Sequence, residues 1–501
     1  MARDGTDALD LFRELRPEEQ DNLVDGLGCT SPNDGKYRKE RHQLDAYLTP
    51  RAEWLGMARV QDALLATRVA YGQAPAAALQ EFRAATADFS PENMHLLEGR
   101  MRHDVLASLA EMGRHLSDET AVLLHPGTTS YDVIDTLRAV LFRDAWSEAV
   151  RPVVGGVIHT LCDRAVHDAD VLRVGRTHLQ GTSPVTFGWH FAQYAARLAD
   201  RFMRCDDAYA NLRGKVRGIV GTGASIEQVV GVGGALGFER DVLAQLGLLP
   251  HRGSSQIVPR ENLADAAHAI ATLGMVLGDF ANDIRLLYAT GIAEVTTSTD
   301  AALLGLSSAD ATKNNPVNYE NVIGKATMLK HLMGIVYELI PSDLERDLTN
   351  SVMGRYEPQG MMVMVHEMHA RMGERCLPGL TIVRDNAEAN LQRVRDNPGE
   401  AMTAILRGVE GWRSSTYGPG HDFVNKVAIQ AQKDGSRLLD VAMTDPDFAH
   451  AYHSQMTETQ RAILGGQLEL YVGAVPDIIA SNVSYARDLA ARSFVPAVSV
   501  K

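Results

Sequence analysis

The sequence predicts an all-α protein with minor strands. Three observations carry that prediction: long apolar stripes at helical spacing, few alternating apolar–polar runs, and glycine and proline breakers confined to a few places. The clearest stripe is Leu263, Ala266, Ile270, Leu273, Leu277, Phe280, Ile284 and Leu287, whose steps of three and four residues describe the seam of a bundled helix. A second stripe is Val322, Ala326, Leu329, Met333, Val336 and Ile340. A third is Phe187, Phe191, Tyr194, Leu198 and Phe202. Helices so apolar on one face are unstable alone, so they pack on one another or on other subunits.

The breakers set the organisation. His125-Pro126-Gly127 precedes a long helix, Gly214 to Gly223 and Gly231 to Gly237 form a glycine-rich middle, and Leu377-Pro378-Gly379 and Gly418-Pro419-Gly420 interrupt the last third. Boundaries near 125 and 380 give an N-terminal helical domain (1–125), a central long-helix bundle (126–380) and a C-terminal helical domain (381–501). The length of 501 residues agrees with a soft prior of roughly three domains.

Composition narrows the function. Apolar residues make up 45% of the chain, enough for a large core, and the formal net charge is −14. A chain this acidic repels nucleic acid and anionic membrane at long range, while a few local cations suffice for a small anionic substrate. The first twenty residues lack the apolar core of a secretory signal, and no uninterrupted run of about 18 apolar residues marks a membrane span. Cys29, Cys162, Cys205 and Cys376 lie far apart, which suits a cytoplasmic protein with reduced thiols. The histidines show no metal-ligand spacing, so no metal is expected. Gly231 to Gly237 departs from G-x-G-x-x-G at Leu236 and lacks a strand–turn–helix context, so no dinucleotide and no other cofactor is expected.

Three segments crowd polar residues in front of long helices. In Gly127-Thr128-Thr129-Ser130-Tyr131-Asp132, hydroxyls beside free helix N–H groups suit a carboxylate, although taken alone a plain helix cap is the commoner use of such residues. In Gly175-Arg176-Thr177-His178-Leu179-Gln180, a His in a polar loop is a candidate general acid or base, with a structural His as the alternative. In Gly305 to Pro316, the pair Ser307-Ser308 precedes Lys313 by six and five residues. A nearby ammonium and backbone donors would stabilise a Ser alkoxide; a solvated polar loop is the alternative.

Taken together, these segments resemble the three signature regions of the fumarase/aspartase superfamily, in its order, and the nearest branch is similar to adenylosuccinate lyase. Glu98 to Val105, Ser255-Gln256 to Arg260, and Glu345-Arg346-Asp347 to Arg355 resemble further pieces of that branch, so the resemblance spans roughly residues 37 to 480. It implies a three-domain fold whose central bundle builds a homotetramer, with each active site drawn from three chains. It implies Ser307 as the base, His178 as the general acid and Glu320 as its orienting partner. Thr129, Ser130, Thr177, Gln256, Lys313 and Asn315 correspond to substrate-carboxylate contacts, and His103 to a second His near the leaving group. Arg346, Ser351 and Arg355 correspond to contacts with a nucleotide phosphate. The implied reaction is β-elimination from a substituted succinate to release fumarate.

The third segment departs from the family pattern. Leu306 replaces a Gly, and Asp310-Ala311 replaces Met-Pro. A carboxylate close to Ser307 would raise the serine's pKa and oppose base formation. A small substrate such as nitrosuccinate, whose nitrite leaves as a stable anion, tolerates such a loop. Adenylosuccinate, a carboxylated muconate and a non-catalytic structural tetramer are the alternatives. Finally, Arg201 follows Leu198 at helical spacing on an apolar stripe, which makes it a candidate substrate contact; a stripe shifted onto Phe202 is the other reading.

Overall fold

In the computed structural model, which describes residues 37, 38, 42–297, 307–310, 312–349 and 351–497, each predicted stripe becomes the buried face of a long helix. Phe187–Ala210 buries Phe187, Phe191, Leu198 and Phe202 completely. Glu261–Tyr288 buries Ile270, Leu273, Leu277, Phe280 and Ile284. Val317–Tyr337 buries Val322, Leu329 and Val336, but it ends before Ile340, which is 38% exposed. The second stripe is therefore one residue shorter than its spacing suggested. Each fully buried Phe or Leu contributes roughly 1.5–3 kcal/mol.

These helices form one bundle with Arg151–His167 and Met353–Arg371. Glycines set its tightest approach. A Cβ on Gly278 would stand 2.3 Å from that of Ala326, and one on Gly274 would stand 2.4 Å from Leu329 Cδ1. The backbones of Glu261–Tyr288 and Val317–Tyr337 thus meet along a seam that larger residues would wedge apart. Glu261–Tyr288 is also long and apolar enough by composition to cross a membrane, although no continuous apolar run announced it. Here it packs within the bundle.

The helix Ser130–Ala145 continues through a π-turn at Trp146–Val150 into Arg151–His167. Trp146 anchors that turn, stacking on Tyr209 at 5.3 Å and donating to Asp206 at 2.8 Å. The strands are short pairs, the longest being the antiparallel hairpin Leu172–Thr177 with Gln180–Thr186.

Past residue 398 a separate small core forms around Phe423 and Phe448, stacked at 5.4 Å. The final helix, Val475–Ala490, leaves it and packs on Phe187–Ala210 and Arg151–His167. The division expected from the sequence placed this helix in the C-terminal domain (381–501), whereas its packing partners here belong to the central bundle. Cys162, Cys205 and Cys376 are buried and form no disulfide among the described residues, whereas Cys29 lies outside them.

Candidate active site

Asp132, Asp135 and Thr136 recur on the buried face of Ser130–Ala145 and clamp two loops. The Asp132 carboxylate, fully buried, accepts from Thr129 N at 2.7 Å, Arg217 N at 2.9 Å, Gly218 N at 3.0 Å and Lys215 Nζ at 2.5 Å. Thr136 exchanges hydrogen bonds with the Lys215 backbone. Asp135 accepts from Val258 N and Arg260 Nη1, both at 2.9 Å. The glycine-rich middle is thus a positioning loop. At Gly221, with φ of +80°, a Cβ would stand 2.6 Å from the Ser254 and Ser255 carbonyls. This close approach holds Gln256 in place.

The loops and helix ends enclose a cleft of about 830 Å³ that brings together His103, Ser130, Gln256, Arg346 and Arg355. His103 caps the helix Asp104–Gly113, its Nδ1 accepting from Leu106 N at 3.2 Å. A neutral ring therefore carries its proton on Nε2, which lies 3.1 Å from Ser130 Oγ. In that tautomer Nε2–H donates to Ser130 Oγ, and both residues line the cleft.

Sequence reasoning passed over Tyr131. Its ring lies under the Arg346 guanidinium at 3.7 Å, and its hydroxyl is 3.0 Å from Ser351 Oγ. Arg346 Nη1 also donates to Gln256 Oε1 at 2.7 Å. Tyr131 thereby engages both Arg346 and Ser351. It lines both the cleft and a second cavity bordered by Arg138, Arg213, Arg260 and Arg346. Arg102, with φ of 54°, and Arg138 add cations to the cleft. Arg138 sits two helical turns beyond Tyr131, a spacing that places both on one face. Carboxylates line the cleft as well: Glu53, Glu98, Asp104 and Asp347, the last kept ionised by bonds from Thr349 and the Asp343 amide that hold its pKa at about 2.

Thr177 and His178 lie elsewhere in the chain, at the exposed tip of the hairpin. Both turn residues have positive φ, His178 at 52° and Leu179 at 61°. Such two-residue turns favour Asn-Gly, so a His-Leu pair stores strain of about 1–3 kcal/mol per residue. No described residue hydrogen-bonds the His178 ring, which points outward from its own protomer's bundle. Arg176 ties the hairpin to the fully buried carboxylate of Glu294.

Ser307 stands in a third place. Its Oγ accepts from Asp310 N at 3.2 Å and Ala309 N at 3.4 Å. The Asp310 carboxylate turns the other way, accepting from Thr312 N at 3.0 Å and Thr312 Oγ1 at 2.7 Å, and these bonds depress its pKa. Asp310 thus offers Ser307 an N–H donor, while its carboxylate is engaged by Thr312. Lys313 is exposed, Asn315 borders a small cavity beside Thr297 and Cys376, and Glu320 is exposed in the first turn of Val317–Tyr337.

Arg201 pairs with Asp200 and is 31% exposed, while Phe202 is fully buried. The stripe runs through Phe202, and nothing here brings Arg201 to the cleft. Thr129 and Ser351 do not line the cleft themselves: Thr129 N donates to Asp132, and Ser351, bonded to Tyr131, lines the second cavity. Within one chain, Thr177, His178, Ser307, Lys313, Asn315 and Glu320 are not among the residues that line the cleft.

Comparisons with known proteins follow the same lines. Residues 37–329 match a family model described as lyase. The adenylosuccinate lyase of Archaeoglobus fulgidus is 29% identical over 402 residues, covering 78% of this chain and 85% of that protein. That of Pyrococcus abyssi is 29% identical over 415 residues, covering 82% and 87%. Among solved structures, a fumarate lyase from Mesorhizobium sp. BNC1 superposes with a TM-score of 0.76 at 20% identity, over 89% of this chain and 98% of that one. A 3-carboxy-cis,cis-muconate lactonizing enzyme from Pseudomonas putida does so with a TM-score of 0.73 at 22% identity, over 89% and 99%. At such identities the structural likeness establishes a shared fold. The family match includes Lys313, Asn315 and Glu320 and stops before Arg346, Ser351 and Arg355. With over half its length matched, and with the three signature segments in order, the chain belongs to the lyase family, within the fumarase/aspartase superfamily.

Proposed function

We propose that this protein catalyses β-elimination from a substituted succinate, releasing fumarate. The observation that carries the reading is the pair of amide donors on Ser307 Oγ. Charge on that oxygen is stabilised by N–H groups already in place, and Lys313 follows six residues later. The Ser307 alkoxide takes the Cβ proton, the C–H electrons form the double bond, and the C–N bond breaks with its electron pair leaving on nitrogen. Thr129, Ser130, Thr177, Gln256, Lys313 and Asn315 hold the carboxylates, whose charge grows in the transition state. His178, oriented by Glu320, protonates leaving groups that need a proton.

For the leaving group we propose nitrite, from nitrosuccinate. Tyr131 supports a small substrate, because it engages Arg346 and Ser351, the residues that the resemblance gives to a nucleotide phosphate. Nitrite also departs without protonation. Adenylosuccinate is the second reading, favoured by the names of both curated relatives. Incubation with each compound separately, following fumarate absorbance and nitrite, decides between them. Fumarate and nitrite from nitrosuccinate alone support the first reading, and turnover of adenylosuccinate alone replaces it with the second.

The scatter of candidate residues over one protomer supports a further proposal: a homotetramer whose sites each combine the cleft of one chain with the His178 hairpin and the Ser307 segment of two others.

A further inference from the structure

Glu294 stands at a junction that the proposed chemistry does not use. Its carboxylate is fully buried and takes both terminal nitrogens of Arg176, Nη1 at 3.0 Å from Oε2, and Asn390 Nδ2 at 3.0 Å. Arg176 lies two residues before His178 in the strand that carries it. The Glu294 carbonyl accepts from Val383 N at 2.9 Å, and Val295–Thr296 then pair with Thr381–Ile382. The next residue, Thr297, accepts from Asn314 Nδ2 at 2.8 Å. Tyr288 OH donates to the Asn314 carbonyl at 2.9 Å. Asn314 lies between Lys313 and Asn315. A contiguous run of bonded groups therefore joins the His178 hairpin to the segment carrying Lys313 and Asn315.

The joint is stiff for a physical reason. A carboxylate without access to water is stable only while its cation stays in place, so separating Arg176 from Glu294 strands a buried charge. The rest of the hairpin is held less firmly, since Thr177, His178, Leu179 and Gln180 are all exposed. Gly175, where a Cβ would stand 2.7 Å from the Ser183 carbonyl, allows the strand to irregularise just before Arg176.

We propose that Arg176 and Glu294 form a positioning pair that couples the His178 hairpin to the Lys313–Asn315 segment, so that ordering one orders the other. The coupling rests on the proposed lyase reading only for its effect on turnover. Neither residue touches substrate; both act through the segments they hold.

Amide hydrogen exchange on the ligand-free full-length protein tests the coupling directly. Glu294→Gln is expected to speed exchange about tenfold or more in both residues 172–186 and residues 307–316. Thr297→Val, at the far end and without a stranded charge, is expected to speed exchange in the hairpin as well as in its own segment. Because Glu294→Gln risks misfolding, Arg176→Lys, which keeps the cation but loses the two-nitrogen grip on Glu294, serves as its replacement and is expected to give the same two-segment pattern. Effects confined to the segment nearest each substitution overturn the proposal. In turnover of the substrate identified above, Glu294→Gln is expected to lower kcat about tenfold or more with KM changed less than about threefold, and Glu294→Asp to recover part of it. A wild-type protein inactive on every succinate removes the lyase reading, and the exchange experiment still decides the coupling.

Discussion

Ser307 illustrates how the direction of a turn decides the role of a neighbour. In the proposed reaction, the same Asp310 that would oppose an alkoxide through its carboxylate would support one through its amide. Asp310→Asn is therefore expected to change kcat/KM less than about threefold, whereas Ser307→Ala is expected to lower it at least about a thousandfold with the fold intact by circular dichroism. The depressed Asp310 pKa keeps that carboxylate ionised throughout the neutral range. Any acid limb of the pH–rate profile above pH ~5 must then come from another group, and it should persist unchanged in Asp310→Asn. At Tyr131 the expectation concerns selection. Replacing it with Ser removes the ring beneath Arg346 and enlarges the space where the cleft and the second cavity share a lining. AMP binding by calorimetry is expected to strengthen in Tyr131→Ser relative to the wild type; unchanged or weaker binding would mean that the ring does not restrict the site. Ser307, His178 and the first segment could be picked out by residue type and spacing. Tyr131 could not, because Arg346 and Ser351 lie more than two hundred residues away in sequence and meet it only in the fold.

Among the secondary elements, the apolar stripes carried most of the fold. Spacing of three and four identifies a buried face wherever a helix is long enough to average out local exceptions. The end of the second stripe was misjudged because the helix stops at Tyr337, so helical spacing no longer holds beyond it and Leu339, not Ile340, is the residue that is buried. The glycine seam was unreadable from one sequence, since Gly274 and Gly278 show their purpose only against Leu329 and Ala326. Gly278→Val is expected to destabilise the protein by at least about 1–3 kcal/mol in chemical denaturation, because the branched side chain drives two backbones apart. The clamp beneath the active-site helix is a stronger case. Lys215→Met leaves the buried Asp132 without its cation, and a loss of about 3–5 kcal/mol is expected, read as a lower denaturation midpoint. The aspartates of the first segment were visible as residues, but their work as loop clamps depends on Lys215, Arg217 and Val258, which no helical spacing connects to them.

For the whole molecule, the separation of the candidate residues within one protomer makes the proposed tetramer testable by mixing. Ser307→Ala and His178→Ala homotetramers are each expected to be inactive. Co-refolded mixtures are expected to regain a fraction of wild-type activity, because some sites receive both intact residues from different chains. Recovery no greater than the sum of the two parents would require each site to lie within one chain. Sequence alone could not show this arrangement, since a linear order holds no record of which segments meet across copies.

The position of the last helix has a consequence for the order in which the protein is made. Asp163 is bonded to Arg487 and Cys162 Sγ approaches the Val483 carbonyl, contacts that span 324 and 321 residues. During synthesis the helix Arg151–His167 therefore waits, with one flank bare, until nearly the whole chain has left the ribosome. The Cys162 thiol records that wait. In the finished protein, burial pushes its pKa up to about 11 and shields it from reagents. In nascent chains ending at residue 474 it is expected to react readily with a maleimide, and completion of the final segment is expected to extinguish that reactivity.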